Sequence, residues 1–87
     1  PFTVESSGEY VLGQNLTFRE EGAAITIAYV HNVKIKFNNN SIKLIHANAM
    51  GINIHDSTEI TIENDAIKNS CESSQDATGT SIRVANS

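Results

Sequence analysis

Four carboxylates fall within ten positions of this 87-residue chain: Asp56, Glu59, Glu63 and Asp65. Cleaving a polysaccharide takes paired carboxylates, or a base beside a charge-neutralising partner. Asp56, Glu63 and Asp65 are therefore the candidate acids and bases. Holding a sugar takes less: an aromatic face with polar side chains beside it. Tyr29, Asn32 and Glu59 are the candidates for that role. Trp is absent, and Phe18 and Phe37 are expected to point inward, so only Tyr10 and Tyr29 are free to stack on a sugar ring.

His31, His46 and His55, with Asp56, would form a metal or acid–base site only if they converged. The repeat described below sets His31 beside Thr58 and His55 beside Ala28, which keeps the histidines apart, so no metal ligands are assigned and no cofactor is expected. Asn32, Asn38, Asn39, Asn40, Asn48, Asn64 and Asn69 are read as turn residues. Asparagine tolerates left-handed backbone and can hydrogen-bond from one layer of a stack to the next. Asn15-Leu16-Thr17 and Asn39-Asn40-Ser41 match the glycosylation tripeptide. Cys71, the one cysteine, rules out an internal disulfide. The net charge of -4, with charges scattered, argues against nucleic acid as a partner. No apolar run approaches the length of a membrane-spanning helix.

What must position these side chains is a repeat. Ala24-Ile25-Thr26-Ile27, then Val33-Lys34-Ile35-Lys36-Phe37 and Asn40-Ser41-Ile42, return 27 positions later as Gly51-Ile52-Asn53-Ile54, Ile60-Thr61-Ile62-Glu63 and Asp65-Ala66-Ile67. Within each copy apolar and polar residues alternate with a period of two, the mark of half-buried strands. The Asn-Gly and Asp-Gly pairs of tight hairpins are missing. Three strands per copy, then a return to the same motif, predicts parallel coils in which each strand pairs with its equivalent about 4.8 Å away. Inward residues then stack as Ile25 on Ile52, Ile27 on Ile54, Val33 on Ile60, Ile35 on Ile62 and Ile42 on Ile67. Outside, Lys36 falls beside Glu63, Lys34 beside Thr61, Asn32 beside Glu59 and Asn38 beside Asp65.

The stretch Ile42 to Met50 is expected to be a strand end and a loop. Phe2 and Val4 start the chain as a short strand. Val11 or Leu12, with Leu16 and Phe18, supplies the interior of a first, irregular coil over residues 1–22. Residues 23–50 form one coil and 51–78 the next, with a protruding, mobile Ser- and Asp-rich loop at 70–79. Residues 79–87 open a further coil, in which Ile82 falls on Ile52.

The run from Gly51-Ile52-Asn53-Ile54 through Ser57 to Ile60-Thr61-Ile62-Glu63-Asn64 resembles the rungs of right-handed parallel β-helix proteins of the pectin-lyase-like superfamily. Gly8 to Leu12 and Asn15 to Phe18 are similar to a first coil, so the resemblance covers roughly residues 8 to 69. It implies an all-β solenoid of about two and a half to three coils. Members include polysaccharide lyases and hydrolases, tailspikes, adhesins and virion proteins, so the fold leaves the activity open. The enzymes carry more coils and display acids clustered with Arg or Lys on an outer sheet, a cluster not found in this sequence. The resulting expectation is a non-enzymatic spacer or docking element of a larger protein or particle, a virion component or surface fibre. Its partners are other protein chains or further coils covering the open ends, and its setting is extracellular, cell-surface or virion. The alternative is a carbohydrate-binding or polysaccharide-processing fragment.

Overall fold

A computed structural model describes residues 2–46, 48–69 and 80–85. The Ser70–Gly79 loop, Cys71 and Ser87 therefore lie outside the described residues. Ten strands follow one another: β1 (Phe2–Val4), β2 (Gly8–Val11), β3 (Leu16–Phe18), β4 (Gly22–Ala28), β5 (His31–Lys36), β6 (Ile42–Leu44), β7 (Ala49–His55), β8 (Thr58–Glu63), β9 (Ile67–Asn69) and β10 (Thr80–Ala85). The chain visits three sheets in rotation. One holds β1-β4-β7-β10, the second β2-β5-β8 and the third β3-β6-β9, and every pairing is parallel.

The repeat sets the register. Ile25 faces Ile52 and Ile27 faces Ile54 in the first sheet, Val33 faces Ile60 and Ile35 faces Ile62 in the second, and Ile42 faces Ile67 in the third. Ile82 falls on Ile52, as the partial third copy predicts. Strand β6 ends at Leu44 as expected, but β7 begins at Ala49, so Ala49 and Met50 belong to the next strand and not to the expected loop.

The interior lies between the sheets. Ile27, Phe37, Ile42, Leu44 and Ile52 are completely buried. Each such side chain contributes about 1.5–3 kcal/mol relative to leaving it in water. Period-two alternation turns Thr26, Lys34, Lys36, Lys43 and Thr61 outward. The first coil is less complete. Val4 is buried there, whereas Leu12, Leu16 and Phe18 are half-buried against the core. The choice left open between Val11 and Leu12 resolves to Leu12, because Val11 pairs with outward-facing Lys36 and is exposed.

Candidate functional site

Asn32, Glu59 and Glu63 lie on strands of the second sheet, and Tyr29 and Asp56 on the corners that lead into it. The corner leading into it is built twice, at residues 28–33 and at 55–60. Each copy holds two non-glycine residues in left-handed backbone: Tyr29 (φ 56°) and Asn32 (φ 56°) in one, Asp56 (φ 51°) and Glu59 (φ 57°) in the other. Such backbone costs about 1–2 kcal/mol for a residue with a Cβ. The corner compensates with hydrogen bonds from rung to rung. Ser57 Oγ donates to the His55 carbonyl at 2.9 Å and accepts from the Val30 amide at 3.2 Å. The Thr58 amide donates to the Val30 carbonyl at 3.1 Å. Between the left-handed positions, Val30 and Ser57 are buried. The repeat places serine where the coil below has valine, and the buried polar contact is made with that lower coil.

Tyr29 projects from this corner, 75% exposed. Its ring meets His55 edge-on, with centroids 5.4 Å apart. His55 Nδ1 lies 3.0 Å from Asp56 Oδ2. An ionised carboxylate only accepts, so His55 Nδ1 is the donor in this pair. His31 Nδ1 and Thr58 Oγ1 share a hydrogen bond of 2.9 Å. The histidines pair with Thr58 and Ala28 across the rungs as the repeat predicts. Among the described residues no three His, Cys, Asp or Glu side chains gather closely enough to hold a metal ion.

Asn32 and Glu59 meet in a shallow groove of about 360 Å³, lined also by Glu9, Lys34 and Thr61. Sequence reasoning named the first two and missed Glu9. The signal for Glu9 was present in the chain, because Gly8 starts a strand whose second residue faces Lys34. The ion pairs differ from the expected one. Lys36 and Glu63 are neighbours in register, but Lys36 Nζ pairs with Glu9 Oε2 at 3.3 Å and Lys34 Nζ with Glu63 Oε2 at 3.7 Å. The long side chains reach diagonally, so each lysine takes one carboxylate, Lys34 from the rung above and Lys36 from the rung below. Both pairs are well solvated and contribute well under about 1 kcal/mol each.

Asp65 does not join the groove. The ladder of the second sheet ends at Lys36 and Glu63. The following corners differ in length, five residues at 37–41 and three at 64–66. Asn38 and Asp65 therefore have no common ladder position. Tyr10 also departs from expectation. It occupies an inward position in register with Ile35, packs half-buried against the core and meets Phe2 edge-on at 6.2 Å. Its hydroxyl donates to the Ser6 carbonyl at 2.7 Å. The inward register of Gly8 with Val33 decides this, since it sends Tyr10 in and Glu9 out.

Most of the asparagines behave as turn and axial residues, but Asn69 ends strand β9 in register with Leu44 instead of forming a turn. Asn32, Asn38, Asn39 and Asn64 have left-handed backbone. Asn40 Nδ2 donates to the Leu12 carbonyl at 2.7 Å, Asn15 Oδ1 accepts from the Ser41 amide at 2.9 Å, and Asn48 Nδ2 reaches Glu21 Oε2 at 3.5 Å. Each of these bonds joins one coil to the next. No protein-family model matches the chain, and no curated protein or solved structure matches it. No helix among the described residues is long and apolar enough to cross a membrane.

Proposed function

We propose that the chain is a right-handed parallel β-helix segment working as a non-enzymatic interaction element, a rigid spacer or docking surface within a larger protein or particle. The observation that carries this reading is the position of the exposed apolar side chains. Phe2 on the first strand and Val84 on the last hold inward register positions and are each 55% exposed, whereas Val11 faces outward on the first coil and Tyr29 projects from the corner of the second. Apolar side chains exposed in inward register support a surface covered by further coils or by another chain. The candidate acids support the same reading. Asp56 is paired with His55 and Glu63 with Lys34, and neither they nor Asp65 line the groove.

Hydroxyl-radical footprinting of the protein in its native assembly, against the purified chain, tests this. Protection at Phe2 and Val84 is the expected result. Protection confined to Tyr29 and the groove would overturn it.

One observation favours a second reading, carbohydrate binding. The groove joins Asn32, Glu59, Glu9 and Lys34 on one open face, and exposed Tyr29 precedes Asn32 by three positions. Glycan-array binding that disappears in Tyr29→Ala would establish this reading, and an array with no binding removes it.

A further inference from the structure

Resting on the carbohydrate reading, we propose that the groove on the outer face of the second sheet takes a neutral glycan and turns away uronate, sulfated and sialylated sugars. The groove lies on the side of the stack and draws on three neighbouring strands: Glu9 from β2, Asn32 and Lys34 from β5, Glu59 and Thr61 from β8. Polar side chains repeated on rungs about 4.8 Å apart suit a chain of sugars laid across the strands.

The charges select among sugars. Glu9, Glu59 and Lys34 are the charged residues of the lining. Lys34 is already engaged, since its Nζ lies 3.7 Å from Glu63 Oε2, and Glu63 is outside the lining. Glu9 is balanced by Lys36 at 3.3 Å. Glu59 enters no ion pair among the described residues. An anionic sugar would meet this unbalanced carboxylate and find no free cation to receive it, and like charges set together cost affinity. Lysines without an acid partner among the described residues stand on another face: Lys43 and Lys68, in register with each other on the third sheet.

What the groove offers is hydrogen bonding to hydroxyls. The Glu59 carboxylate accepts, the Asn32 amide donates and accepts, and the Thr61 hydroxyl does either. A bond from a sugar hydroxyl to a carboxylate is of the stronger, charge-assisted kind. Glu59 also holds left-handed backbone, φ 57°, as does Asn32 on the coil below, φ 56°. Asparagine is at home in that conformation and glutamate is not. A glutamate kept there, exposed and without an ionic partner, is accounted for by a ligand that uses its carboxylate.

The test is a glycan array probed with the whole chain. Calorimetric titration then compares the tightest-binding neutral glycan with hexagalacturonate and a heparin hexasaccharide. Binding is assigned to the groove where Tyr29→Ala removes it. The neutral glycan is expected to bind there at least about tenfold tighter than either anion. Glu59→Gln, which keeps the side chain's size, should weaken the neutral glycan about tenfold. Glu59→Lys should raise hexagalacturonate to parity or beyond. Groove binding of an anionic sugar as tight as that of the neutral one, or neutral binding unchanged in Glu59→Gln, would overturn this assignment and leave the carbohydrate reading standing. An array with no binding removes the reading and the assignment together.

Discussion

The second coil (β4–β6) and the first (β1–β3) use the same alternation and reach different interiors. In the second, Ile27, Val33, Phe37, Ile42 and Leu44 are buried almost completely. In the first, Leu12, Leu16 and Phe18 hold equivalent inward positions and remain half-buried, while Phe2 faces solvent. The residue types are alike, so the difference comes from neighbours. Each second-coil strand pairs on both sides, and each first-coil strand on one. Burial in this architecture comes largely from the rungs above and below, with Val4, 1% exposed on one-sided β1, as the exception.

The largest expected effect comes from placing a charge inside the stack. Ile54 is 4% exposed and in register with Ile27 and Val84. Ile54→Asp should abolish folding, because an unpaired buried carboxylate costs at least about 4 kcal/mol. Loss of the β-sheet circular dichroism is the readout, and a folded, equally stable variant would refute the register.

Two phenylalanines sharpen the comparison between coils. Phe37→Ala should cost about 3–5 kcal/mol in urea unfolding, and Phe18→Ala about half of that or less, since its site is already partly solvated. Equal costs would mean that the first coil is as well covered as the second.

How much of this could be read from the chain follows from what a repeat encodes. The pairing of Ile25 with Ile52 and of Ile35 with Ile62 was legible, because a two-residue alternation recurring at 27 positions admits one register. The left-handed asparagines were legible for the same reason that asparagine favours turns. The ion pairs were not: register places Lys36 beside Glu63, but flexible four-carbon side chains choose diagonal partners. Tyr10 was misplaced because the parity of β2 hangs on Gly8, whose missing side chain gives no apolar signal. Ser57 was overlooked because a buried serine is visible only when set against Val30 in the coil below.

Smaller effects are expected at the corners and the outer face. Glu59 has left-handed backbone, so Glu59→Gly should stabilise the chain by about 0.5 kcal/mol, relief of strain outweighing the added entropy of the unfolded state. A loss of stability would mean that the Glu59 side chain holds the corner. Thr61 is exposed on the second sheet, and Thr61→Lys should leave the thermal midpoint unchanged, a shift within about 0.5 kcal/mol.

Native-state amide hydrogen exchange, resolved by strand, tests the central claim most directly. If burial is conferred by stacking on both sides, the amides of β4, β5 and β6 exchange most slowly and those of β1, β2 and β3 measurably faster. Protection in β1–β3 equal to that in β4–β6 would contradict the account, because one-sided strands would then be as well covered as two-sided ones.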